Sequence, residues 1–237
     1  MKCFARWEID EKSGVFFRDQ TILQFGNSWD LLANFILLNP GSALPLNSED
    51  QTAYLESKGL PFFVKPQSEE KYVEFSIDRL MNDLIRLFST KKDGGTIRLY
   101  NLFNLKNQHS SDAVFEFDAH MGLQKMFAKD SEIAFYNAPV VIASGSNAVH
   151  NPRLKQELLR YIALAKPENL YKLSKVERRL FSILKVNTYG DELLVDSYHP
   201  SYTCKYGNTT TLGDLIFFET ESITPLVKYS PTHATSG

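Results

Sequence analysis

The stretch FILLNPGSALPL, residues 35–46, sets an aliphatic run directly against Asn39-Pro40-Gly41-Ser42, and its reading decides the fold. A short, uninterrupted apolar run bounded by turn residues is the pattern of a strand covered on both faces, and such strands belong to parallel sheets. Its abrupt polar ending has two explanations. It is a plain turn, or it delivers backbone and amide groups to a site at the strand's carboxyl end.

Working outward, four runs of this kind are expected as buried strands: 34–38 (NFILL), 96–102 (TIRLYNL), 139–144 (PVVIAS) and 193–198 (LLVDSY). Helical patterns are expected between them over 69–90, 122–135, 153–165 and 174–184, the first from the spacing of Tyr72, Phe75, Leu80, Leu84 and Leu87. Strand and helix alternate, which predicts an α/β fold with a four-stranded, mainly parallel sheet sandwiched by helices and joined by right-handed crossovers. The segments WEID, SGVFF and TILQF predict an antiparallel meander over 1–33 that caps the sheet or one of its edges. The core then spans 34–224, and 225–237 (PLVKYSPTHATSG) thins into a frayed tail, all within a single domain over 1–237.

Composition narrows the function classes. With 43% hydrophobic and 23% charged residues the chain is expected to fold as a globular domain rather than remain disordered. A net charge of −2 provides no global attraction to nucleic acid, so any DNA contact must come from a local basic cluster. Cys3 and Cys204 are too few for a disulfide framework and lack zinc-site spacing, which fits a reducing cytoplasm. The opening MKCFARWEIDEKSG is interrupted by charge before a signal-peptide core could form, and no segment reaches the roughly 18 apolar residues of a membrane span.

Ligands of open parallel sheets bind beyond the carboxyl ends of the strands. Those ends here are Asn39-Pro40-Gly41-Ser42, NLFNLK at 101–106, Gly145-Ser146-Asn147 and His199-Pro200-Ser201. Three contain Asn and the fourth His, uncharged polar groups suited to reading a base or positioning a water. Gly145-Ser146-Asn147-Ala148 lacks the glycine spacing of a dinucleotide fingerprint or P-loop, so no cofactor is expected, and no metal cluster is visible.

Taken in order, Asn-Pro-Gly, the Asn-ended strand, the ASGSNA turn and His-Pro-Ser resemble the motifs of the uracil-DNA glycosylase superfamily. The first is most similar to that of the mismatch-specific branch. LLNPGSALPLNSEDQT is also similar to an uncharacterised family of bacterial and phage proteins with an NPS, then D-x-T, signature. The resemblance covers roughly residues 34–205. It implies a three-layer α/β/α fold, a flipped-out nucleotide, and a monomeric, monofunctional DNA glycosylase that hydrolyses the bond between base and deoxyribose.

The resemblance also distributes roles. His199 donates a hydrogen bond to the base as negative charge builds on it, for which a neutral imidazole suffices. Asn39 stands where uracil-specific relatives carry the water-activating Asp, and an amide orients water but cannot take its proton. Hydrolysis is then slower and dominated by positioning, or the base leaves easily, or another residue such as Asp50 or Asp196 supplies the base. Asp50 is equally an N-cap for a helix over 51–58. Asn101 reads the base edge, Ser42 adjoins it, and Phe103, Tyr54 or Tyr202 stacks on it, although 17 Phe and 11 Tyr make any one aromatic a candidate for the core. Ser146, Ser201, Tyr202 and Lys205 are the DNA-contact candidates, whereas the Lys and Arg of 153–160 and 172–179 are read as solvated faces. Gly41 replaces a Tyr that blocks C5 substituents in uracil-specific members, which implies tolerance for a C5-modified pyrimidine; it also serves as a turn residue of positive φ. Competing expectations are a uracil or thymine mismatch repair glycosylase, a silent DNA- or nucleotide-binding module, and an α/β enzyme of nucleotide or sugar metabolism.

Overall fold

The computed structural model describes residues 1–67, 70–177, 180–186 and 196–201. Their strands are β1 (Lys2–Asp10), β2 (Val15–Gly26), β3 (Leu31–Leu37), β4 (Tyr72–Phe75), β5 (Gly94–Asn101), β6 (Val140–Ile142), β7 (Leu170–Glu177) and β8 (Leu180–Lys185). Among the described residues these form one mixed sheet of eight strands, in the order β4-β1-β2-β5-β3-β6-β7-β8. The α/β class holds, but the sheet is twice as wide as the four strands expected. Four contiguous strands, β5-β3-β6-β7, run parallel, and antiparallel strands extend the sheet on both sides.

Alternation along the central strands sends side chains to two cores. Ile36, Tyr100, Val140 and Ile142 face one, while Phe35, Leu37, Leu99 and Val141 face the other. Helices α3 (Ser110–His120) and α5 (Pro152–Leu164) cover the first face, and α2 (Arg79–Ser89) the second. Helix α2 buries Met81, Leu84, Ile85, Leu87 and Phe88, worth about 1.5–3 kcal/mol per large side chain. Two further short helices among the described residues are α1 (Thr52–Glu56) and α4 (Asn147–His150). Among the described residues no helix is long and apolar enough to cross a membrane.

Several expected elements change type. The helix expected over 69–90 begins only at Arg79, where Asp78 caps it by accepting the Met81 N–H at 2.9 Å. Tyr72 and Phe75 lie instead on β4, paired with β1, because YVEF satisfies a strand pattern as well as a helical one. The stretch 174–184 is the antiparallel β7–β8 hairpin rather than a helix, and β7 takes the fourth parallel position expected of 193–198. Residues 193–195 and the tail over 225–237 lie outside the described residues, and Asp196 to Tyr198 are not in a strand. Within 122–135 there are turns and one 3-10 turn at Asp130–Glu132, and the helix sits earlier, at α3. The meander does more than cap the sheet: β2 pairs with β5 from Thr21↔Leu99 to Gly26↔Gly94 and builds its interior.

One buried ion cluster ties the meander to the core. The Arg6 guanidinium holds Asp19 through Nε and Nη2, and through Nη1 it holds Glu70 at 2.8 Å and Glu132 at 2.7 Å. Removing one partner of such a set strands the others without compensation. Arg6→Ala is expected to cost about 3–5 kcal/mol in urea unfolding at neutral pH. The loss should shrink on acidification, as the abandoned carboxylates take up protons; an equal loss at pH 4 and pH 7 would contradict this account.

Candidate functional site

Strand β3 is hydrogen-bonded along both edges and covered on both faces, so its polar continuation emerges only at its carboxyl end. There the Asn39 side-chain amide donates to the carbonyls of Pro40 and Asn107, each at 2.8 Å. Two carbonyl acceptors require the NH2 on that side, so the Asn39 Oδ1 faces away from them and accepts no hydrogen bond among the described residues. Asn101, at the end of neighbouring β5, is 5% exposed, and its side chain makes no hydrogen bond among the described residues. Its backbone carbonyl is taken by the Tyr161 hydroxyl at 2.9 Å.

His199 arrives from the far side of the sheet. The Tyr198 N–H donates to the Leu173 carbonyl at 2.8 Å, which lays 196–198 beside β7. Gly145, after β6, has φ 79°, and a Cβ there would lie 3.3 Å from the His199 Cβ, so glycine meets both the backbone and the contact requirement. The Ser201 N–H donates to His199 Nδ1 at 3.3 Å. With Nδ1 accepting, the ring proton of a neutral imidazole sits on Nε2 and is available to donate. Loss of hydration pushes the imidazole down to about 4, so it is neutral at physiological pH.

Asn39, Gly41, Asn101 and His199 line one cavity of about 70 Å³, several times what a single water needs. The same wall carries residues with no local sequence signal for a site. Asp78 lies inside the stretch that reads as continuous helix, so its capping position was hidden. Its Oδ1 is engaged by Met81, while its Oδ2 would lie 3.1 Å from a Cβ on Gly41. Arg18 and Thr21 come from the meander, and Asn107 and Gln108 from the loop after β5. Gly41 is not among the residues of positive φ, so the turn does not demand glycine there; the space beside the Asp78 carboxylate is what glycine preserves.

Other expected site residues lie elsewhere. Asp50 is exposed, accepts the Thr52 N–H at 2.8 Å at the start of α1, and does not line the cavity. Phe103 is fully buried against Phe117 with ring centroids 4.9 Å apart, so it belongs to the core and cannot stack on a ligand. Tyr54 joins a surface aromatic cluster with Phe4 and Trp29. Ser42 is exposed on the turn after Gly41, outside the cavity lining, and Ser146 is exposed before α4, where its carbonyl accepts from His150 Nδ1 at 2.8 Å. Asp196 is exposed, and its carbonyl accepts from the Lys172 ammonium at 3.3 Å. Ser201 meets His199 Nδ1 with its hydroxyl at 2.9 Å as well as with its backbone N–H, and Tyr202 and Lys205 lie outside the described residues. No group of three or more His, Cys, Asp or Glu among the described residues is arranged to hold a metal ion.

Fold and site together define an α/β protein with a polar cavity at the carboxyl ends of its parallel strands. Compared with protein-family models, with curated proteins and with solved structures, the chain matches none.

The depressed imidazole makes a stability prediction. Since His199 titrates near its ordinary 6.5 when unfolded and at about 4 when folded, its contribution is complete above pH 6.5 and is lost as pH falls towards 4. The urea midpoint of the wild type should therefore fall more steeply over that window than that of His199→Gln. Parallel curves would mean that the imidazole is not held neutral.

Proposed function

We propose that this protein hydrolyses the N-glycosidic bond of a flipped-out nucleotide in DNA, in the manner of the uracil-DNA glycosylase superfamily its motifs resemble. The excised base on this reading is a C5-modified pyrimidine, such as a hypermodified cytosine of phage DNA, which makes the role an antiviral one in the cytoplasm. The observation that carries the proposal is the convergence of Asn39, Asn101 and His199 on one cavity that also holds a carboxylate, Asp78.

Each residue then has one task. A water donates a hydrogen bond to Asn39 Oδ1, which aims its lone pair at the sugar carbon, and Asp78 takes its proton. As the bond from that carbon to the ring nitrogen breaks, its electron pair goes to the base, and the His199 Nε2–H stabilises the charge on the base oxygen. The water oxygen ends on the sugar, leaving an abasic site, and the proton held by Asp78 leaves with the base. Asn101 presents both a donor and an acceptor to the base edge. Gly41 leaves room beside the carboxylate for a C5 substituent.

Mass spectrometry of bases released from uracil-containing, mismatched and phage-modified DNA tests the reading, and no release from any of them would sink it. Release from uracil or mismatched DNA alone would move the assignment to repair. Asp78→Asn keeps a capping side chain, so it should fold normally while losing about 10²–10⁴-fold in release rate. Gly41→Ala demands no positive φ but sets a Cβ 3.1 Å from Asp78 Oδ2, so it should change the melting temperature little and should slow release of bulky C5-substituted bases most. A second reading, a silent DNA- or nucleotide-binding module, is favoured by the amide at Asn39, which cannot take a proton from water. It predicts binding without turnover, unchanged in rate by Asp78→Asn.

A further inference from the structure

Strand β2 is irregular beside the cavity. From Asp19 to Ile22 it takes three steps where β1 takes two, from Arg6 to Phe4, and Gln20 within that span adopts φ 50°. In an unbroken strand, residues 18 and 21 face opposite sides of the sheet; the bulge brings both Arg18 and Thr21 to the cavity wall. Both arrive short of partners. Arg18 is 3% exposed; among the described residues its Nε has no acceptor, and its one hydrogen bond is a long one, Nη1 to the Ala43 carbonyl at 3.4 Å. Thr21 is fully buried, and its hydroxyl has no partner among the described residues.

A guanidinium keeps its charge, so a buried one needs compensation. Arg18 lies 5.4 Å from the centre of the Phe75 ring and forms no ion pair among the described residues. The neighbouring Cys3 thiol is pushed up to about 12 by burial and is neutral. Asp78 is the nearby carboxylate, already engaged by the Met81 N–H, and the Lys106 ammonium adds positive charge near Arg18. Arg98 shows the contrast: it is also fully buried and its Nε is also unpartnered, but its Nη atoms donate to the Phe62 carbonyl and Gln20 Oε1, its guanidinium lies 4.8 Å from the Tyr100 ring centre, and it lines none of the cavity.

We propose that Arg18 and Thr21 form an anion receptor within the cavity, binding a ligand oxygen that carries delocalised negative charge. That oxygen belongs either to a phosphate or to a pyrimidine that leaves as an anion; only the second source rests on the glycosylase reading.

Calorimetric titration of the full chain with inorganic phosphate, and separately with 5-nitrouracil, a pyrimidine largely anionic at neutral pH, distinguishes the sources. Wild type should bind at least one of them at one site. Arg18→Met should weaken that binding by about tenfold or more, the scale of one charged hydrogen bond. Its melting temperature should equal or exceed that of wild type, since an uncompensated buried charge is gone. Thr21→Val should bind more weakly without loss of stability, and Arg18→Lys should bind more weakly for want of the Nε–H. The receptor is overturned if wild type binds neither probe, if Arg18→Met binds as wild type does, or if Arg18→Met melts lower, which marks a structural arginine. Arg18-dependent phosphate binding in a protein that releases no base would support the receptor while ending the glycosylase reading.

Discussion

Everything at the site depends on the complete enclosure of β3. It is paired in parallel with β5 on one side and β6 on the other, and Phe35 and Leu37 pack into one core while Ile36 packs into the opposite one. A strand without a free edge or a free face has one outlet for polar groups, its end. Asn39 occupies that outlet, and the carbonyls that hold its NH2 come from the next residue and from the loop after β5. The orientation of the amide oxygen is thus set by the same packing that sets the strand.

Around that outlet several buried polar groups lack partners among the described residues. Elsewhere in the sheet Arg6 has three carboxylates, and the Arg98 guanidinium has two acceptors for its Nη atoms and two aromatic rings, although its Nε has no partner among the described residues. Among the described residues the Thr21 hydroxyl, Arg18 Nε and the Asn101 side-chain amide, all in the cavity wall, make no hydrogen bond. Unmet hydrogen-bonding capacity lowers stability and is retained where a ligand completes it. That wall lies at the carboxyl ends of the parallel strands, where open sheets of this kind bind ligands.

Legibility varied with how one-sided the local signal was. Strands β3, β5 and β6 were readable because runs such as FILL and PVVI suit burial on both faces. Helix α5 was readable over 153–165 from its apolar stripe, and the structure starts it at Pro152, where the Asn151 side chain accepts from the N–H groups of Arg153 and Leu154. Tyr72, Phe75 and the stretch 174–184 were misread because their spacing fits two periods and only pairing partners distinguish them. Helix α3 was missed, and Asp78 was obscured by a helix drawn too long.

By itself the sequence determined the α/β class, the central parallel strands and the polar residues that end them, since burial and turn chemistry act over a few neighbouring residues. It also singled out Asn39, Gly41, Asn101 and His199, which share one cavity. Only the tertiary structure decided that the meander builds the sheet, that Asp78 rather than Asp50 faces the cavity, and that Phe103 is core. It alone brought Arg18 and Thr21 to the cavity, because a bulge reverses strand parity through a register against another strand, and a register is a relation between distant segments that neither carries alone.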